Sequence, residues 1–176
     1  MNTWVILAVV VGALVLATVL VIGMMGGPGL GTHLPEELLP QEIAGFELVN
    51  RFDYVEPIFE GERYSTLVSF APLEGMEFAG KVERMGITAY LFKDRGRAEA
   101  AKRMLLDSVG PGTGEVDLDG RPVIAYGGPG QAGLIWQMGP IIYQVFVTSP
   151  EGGDNPEALE KAALAGARAV FELWKR

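Results

Sequence analysis

Histidine, the side chain best suited to proton transfer near neutral pH, occurs once, as His33. It sits in a Gly/Pro-rich stretch with no sequence neighbour to orient it. It therefore reads as a solvated linker residue rather than a general base. The serines are Ser65, Ser69, Ser108 and Ser149, and none lies in a G-x-S-x-G elbow or an S-x-x-K motif. Cysteine is absent, which removes thiol nucleophiles, disulfides and thiolate metal ligation together. Carboxylate pairs can do acid–base work without histidine. Glu36, Glu37, Glu56, Glu60 and Glu62 are numerous enough for that, but no spacing selects two of them.

Two loops resemble binding motifs in outline only. Gly128-Pro-Gly130-Gln-Ala-Gly133 matches G-x-G-x-x-G after a strand-like run. A dinucleotide site needs a helix next, so that its N-terminus meets the pyrophosphate. Leu134-Ile-Trp-Gln-Met follows instead and reads as a strand, which makes the loop a glycine-rich hairpin. Glu115-x-Asp117-x-Asp119-Gly120 opens like a calcium loop, but the twelfth position, where a bidentate glutamate belongs, is Tyr126. No metal and no cofactor is expected. The aromatic residues Tyr126, Trp136, Tyr143 and Phe146 cluster in the C-terminal half. They are candidates for an interaction surface, with the hydrophobic core as the competing destination.

The charge distribution sets these residues in context. Residues 1–35 contain no Asp, Glu, Lys or Arg, so all 22 acidic and 14 basic side chains fall in 36–176. A net charge of -8 without a basic stripe argues against nucleic acid as a partner. From Trp4 to Met25 every residue is apolar or small apart from Thr18. As a helix this stretch spans about 33 Å, enough to cross a hydrocarbon layer of ~30 Å. A cleaved signal peptide would carry a basic n-region, a shorter apolar core and a better cleavage site than Gly23-Met-Met-Gly-Gly. The expectation is a retained transmembrane signal anchor over 1–25, contacting lipid through residues 4–25. Ala8/Gly12 and Ala13/Ala17 are small-xxx-small pairs that would let a partner helix approach closely. The nearest basic residue, Arg51, is too distant to orient the anchor, and a short N-tail before a large C-terminal domain favours an extracytoplasmic domain.

Residues 26–40 form a Gly/Pro linker, leaving 41–176 as one soluble domain. Strand-like runs are expected over 46–55, 64–71, 86–92, 116–118, 122–126, 134–138 and 141–148. Asp119-Gly120 is a two-residue hairpin signal. A helix capped by Asp94 runs to about Ser108, with Ala98, Ala101, Leu105 and Met104 as its buried candidates. A second, capped by Asp154 or Asn155 with Pro156 in its first turn, carries the stripe Leu159, Ala163, Ala167, Val170, Phe171 and Trp174. Gly166 beside that stripe would let this helix lie close to a sheet. The expected fold is α+β, an antiparallel sheet with both helices packed on one face. Met85-Gly-Ile-Thr-Ala-Tyr90 and Met138-Gly-Pro-Ile-Ile-Tyr143 hint at two related strand-strand-helix halves.

Taken together, these features point to a single-pass, non-catalytic accessory or binding subunit with an integral membrane protein as its partner. A membrane-tethered carboxylate hydrolase and a small-ligand sensor are the alternatives. A pilin-like filament subunit ranks lower, because a basic leader is expected ahead of such an apolar stretch.

Overall fold

The computed structural model describes residues 39–54, 56–109, 113–151, 153 and 155–175. The anchor, its packing candidates Ala8, Gly12, Ala13 and Ala17, and the linker as far as residue 38 lie outside the described residues. Among the described residues no helix is long and apolar enough to cross a membrane.

Seven strands form one antiparallel sheet: β1 (Phe46–Tyr54), β2 (Glu62–Pro72), β3 (Arg84–Phe92), β4 (Gly114–Leu118), β5 (Arg121–Gly128), β6 (Gln131–Met138) and β7 (Ile141–Thr148). Their spatial order is β1-β2-β3-β7-β6-β5-β4. Helix α1 (Arg95–Val109) follows β3, and helix α2 (Pro156–Leu173) follows β7. Local chemistry explains the joints. At the β4–β5 turn Asp119 and Gly120 both adopt positive φ, 55° and 79°, as a type I′ hairpin requires. The Asp117 Oδ1 accepts from the Gly120 N–H at 2.9 Å and fixes that turn. Asp94 Oδ1 accepts from the Arg97 N–H at 2.9 Å at the start of α1. Asn155 caps α2 by accepting from the Ala158 N–H at 3.0 Å, with Pro156 next in line.

The helices lie on opposite faces of the sheet, which corrects the expectation that both share one. Successive strand residues point to opposite sides, and the central strands are apolar on both. Met85, Ile87, Leu134, Trp136, Tyr143, Val145 and Val147 pack with Leu159, Ala163, Val170 and Phe171 of α2 on the back face. Tyr90, Phe92, Ile135 and Ile142 pack with Ala98, Ala101 and Leu105 of α1 on the front. One-sided packing would leave the second group in water. Met104, a candidate for the buried side of α1, is exposed instead.

This arrangement also removes the two-halves reading. Antiparallel neighbours such as β3 and β7 are related by an axis normal to the sheet, which would keep both helices on one face. The matching sequences are not equivalent either: Gly86 lies within β3, whereas Gly139 forms the β6–β7 turn with φ 61°. Tyr90 faces α1 and Tyr143 faces α2.

Helix α2 approaches the sheet closely at Gly166. A Cβ there would stand 2.7 Å from Met85 Sδ and 3.1 Å from Val145 Cγ1. Gly166→Ala would gain about 1 kcal/mol of helix propensity and incur roughly 1–3 kcal/mol of overpacking. Val145 is β-branched and held in the sheet interior, so a net loss of about 1 kcal/mol is expected, and about 3 kcal/mol for Gly166→Leu. Urea unfolding midpoints measure both; an alanine variant more stable than the parent would show that the close approach is not limiting.

Candidate functional site

The two faces differ in how completely they are covered. Across its central strands the back face is closed by α2 together with Leu39, Ile43, Phe46, Phe78 and Val82. On the front, α1 and Phe59 of the β1–β2 loop close only one end. The asymmetry is visible along β7. Ile141, Tyr143, Val145 and Val147 on the back are all buried, whereas front-facing Gln144, Phe146 and Thr148 remain partly accessible.

At the open end the front face forms a shelf of aromatic rings over glycines. Tyr126, Gly133 and Phe146 are cross-strand neighbours, and Phe146 faces Gly86 on its other side. A side chain at Gly86 would collide with the Phe146 ring, and one at Gly133 with the Tyr126 ring. Missing side chains on β3 and β6 thus let both rings lie down on the backbone, each covering a strand that would otherwise be bare. Phe52 and Ser69, half-buried on the same face of β1 and β2, extend the shelf towards the β1 edge.

Polar groups fix the rear of this shelf. The Tyr90 hydroxyl donates to Gln144 Oε1 at 3.3 Å, and Gln144 Nε2 donates to the Tyr126 hydroxyl at 2.9 Å. Tyr126 in turn donates to the Val145 carbonyl at 3.3 Å. Burial pushes the Tyr126 hydroxyl up to about 12, against the lowering influence of the Gln144 amide. Burial raises Tyr90 further, with Tyr54 and Glu62 adding to the shift. These phenols are held as neutral hydrogen-bonding groups at physiological pH and are poorly placed to act as bases.

Glu62 is the one buried carboxylate among the described residues. Its Oε2 accepts from the backbone N–H groups of Ile58 and Phe59, both at 3.0 Å. This ties down the β1–β2 loop and sets Phe59 edge-on to Tyr90, with ring centroids 5.4 Å apart. Its Oε1 and the nearby Ser65 Oγ are buried without a hydrogen-bond partner. Glu60 is exposed and paired with Arg97 at 3.5 Å, and Glu56 is exposed. The carboxylates of this loop therefore do not converge on one reacting centre.

The four aromatics singled out from sequence divide between the faces. Trp136 and Tyr143 are buried on the back, stacked with centroids 5.3 Å apart. Phe171 of α2 packs on Trp136 at 5.1 Å, and the Arg121 guanidinium lies over the Phe171 ring, 4.9 Å from its centroid. Trp174 Nε1 donates to the Tyr143 hydroxyl at 3.0 Å, fastening the end of α2. These two are core residues, a correction that follows from pairing: Trp136 stands opposite Tyr143, an odd number of residues along from the Gly133–Phe146 pair and so on the other face. Only Tyr126 and Phe146 reach the accessible side. Phe52 and Gln144 are not among the sequence candidates, and Ser69 enters only as a serine outside any nucleophile motif. The available signal was the pair of glycines, Gly86 and Gly133, placed within otherwise apolar strands.

The remaining candidates resolve into structural roles. Gly128–Gly133 spans the β5–β6 hairpin, with Gly130 at φ 73°. Ser108 donates to the Leu105 carbonyl, and Ser149 to Gly130 and Gly153 carbonyls. His33, Glu36 and Glu37 lie outside the described residues. Among the described residues no three acidic or histidine side chains converge as a metal site. A shallow, solvent-open crease lined by Glu77, Lys81, Asn155, Glu157 and Lys161 is occupied by ion pairs: Lys161 meets Glu157 at 3.0 Å and Glu77 at 3.9 Å. No protein-family model, curated protein or solved structure matches the chain.

The buried phenols give a pH signature. Burial also pushes Tyr143 up to about 12. An unfolded tyrosine ionises near 10, so its contribution is intact below that pH and is lost as pH rises towards 12. Each such group costs about 1.4 kcal/mol per pH unit in that window. Stability is expected to fall steeply between roughly pH 10 and 12, and Tyr126→Phe to flatten the fall. Denaturant titrations at several alkaline pH values measure this; a flat profile would mean the phenols ionise freely in the folded protein.

Proposed function

We propose that this chain is a single-pass membrane-anchored accessory or binding subunit. Its apolar segment at 4–25 crosses the bilayer, its linker spaces the domain from the surface, and the domain binds a membrane protein partner on the extracytoplasmic side. The observation that carries the reading is the half-open front face. A sheet whose central strands are closed on one side presents on the other a shelf of Phe146, Tyr126, Phe52 and Ser69. Partly accessible aromatics set on a rigid sheet are the kind of surface that protein interfaces use. The absence of basic patches in the charge pattern supports a protein rather than a nucleic-acid partner. A hydrolase reading draws no support from the described carboxylates of the β1–β2 loop, since Glu62 is spent on loop backbone and Glu56 and Glu60 face solvent.

Native mass spectrometry of the full chain purified in mild detergent tests the proposal. A membrane protein is expected in stoichiometric amount. Ser69→Arg, which places bulk and charge on the shelf, is expected to reduce it at least tenfold, roughly the 1.4 kcal/mol that one well-placed interface side chain carries. Gly12→Leu is expected to weaken any part of the association that the helix supplies. A clean monomer or self-oligomer from native membranes would overturn the reading.

A further inference from the structure

The sheet has two edges, and they differ in how they are protected. β1 is interrupted by a register shift between Leu48 and Asn50, and the Arg51 N–H is taken by Asn50 Oδ1 at 2.8 Å. A bulge and a side chain that consumes a backbone donor both blunt an edge against pairing. β4 has neither device, nor a Lys or Pro, and its residues from Gly114 to Asp117 are exposed.

Which backbone groups of β4 face outward follows from its turn. A two-residue type I′ hairpin makes the flanking residues, Leu118 and Arg121, the closing hydrogen-bonded pair. Pairs then alternate, so Val116–Val123 is hydrogen-bonded while Asp117–Pro122 and Glu115–Ile124 are not. Pro122, with no N–H to give, stands where no hydrogen bond to β4 is needed. The N–H and C=O groups of Glu115 and Asp117 therefore point away from β5, four groups in a row that a further strand can use.

The same alternation places the Glu115 and Asp117 carboxylates side by side on the front face, with Val116 on the back and 38% accessible. A strand added here sets its side chains about 5 Å from these, residue opposite residue. A second copy of β4 would bring carboxylate against carboxylate, in a chain already at -8, and like charges directly opposite are destabilising.

We propose that the outer edge of β4, which pairs with no further strand among the described residues, receives an extended protein segment carrying Lys or Arg at alternate positions, with an apolar or β-branched residue between them. Backbone pairing to Glu115 and Asp117 supplies the register, the two carboxylates select basic side chains, and Val116 takes the intervening residue. This site is separate from the aromatic shelf, and its success or failure does not depend on the shelf's partner.

The test uses the full chain in non-ionic detergent and two blocked peptides, Lys-Val-Lys-Thr-Lys and Glu-Val-Glu-Thr-Glu. Fluorescence anisotropy reads binding, and amide hydrogen exchange reads its location. The lysine peptide is expected to bind, to weaken with added salt, and to slow exchange of the Glu115 and Asp117 amides at least tenfold. The glutamate peptide is expected to leave them unchanged. Glu115→Pro removes one outward N–H without breaking a β4–β5 hydrogen bond and is expected to lower affinity at least tenfold. Glu115→Thr keeps that N–H, loses one charge, and is expected to weaken binding severalfold while reducing its salt dependence. Equal binding of both peptides, unchanged exchange on β4, self-association of the chain through this edge, or lysine-peptide affinity unaltered in both variants would overturn the proposal.

Discussion

The pairing of β3 with β7 is the constraint on which the rest of the structure depends. Eight consecutive residue pairs, from Arg84–Thr148 to Leu91–Ile141, join a three-stranded and a four-stranded meander into one sheet. Both strands are nearly continuous apolar runs, so the joined sheet must be covered on both sides. Each helix emerges directly after one of these two strands and covers one side. Had either strand carried a clean polar alternation, a single layer of helices would have sufficed.

Coverage is unequal because the two helices meet different surfaces. α2 buries eight of its residues and comes close enough to the sheet to require Gly166, while α1 buries Ala98, Ala101 and Leu105. The back face gains further closure from Phe46 stacked on Phe78, 5.0 Å apart. On the front, the protein uses rings lying over Gly86 and Gly133 in place of a covering element. Such rings shield the backbone without hiding themselves, which is why the back face is core across its central strands while the front ends in an accessible aromatic surface. The Tyr90–Gln144–Tyr126 hydrogen bonds stiffen that surface from behind.

Much of this was legible in local sequence. The Asp119-Gly120 hairpin, the Asp94 and Asn155 caps, the Gly166 approach and the strand runs each follow from short-range rules of conformation and hydrogen bonding. What local rules do not carry is the face on which an element lands. Strand parity within β6 and β7 separates Trp136 and Tyr143 from Gly133 and Phe146, but only the register across β5, β6 and β7 puts Tyr126 with Phe146. The burial of Glu62 is similarly tertiary. It depends on the β1–β2 loop folding back over Tyr90 and Phe92, and nothing in the acidic spacing distinguishes it from Glu56 or Glu60.

The central claim is that the shelf is covered by a partner in the membrane where the protein works. Because the chain has no cysteine, a single Ser69→Cys substitution gives one thiol on the shelf, and Glu99→Cys gives a control on the exposed side of α1. Labelling with a membrane-impermeant maleimide in native membranes, and again on the isolated chain after a harsher detergent has stripped its partner, compares the two sites directly. The account predicts slow labelling of residue 69 in membranes, at least tenfold faster labelling of the isolated chain, and equal rates for residue 99 in both. Equal rates for residue 69 in membranes and in the isolated chain would contradict it.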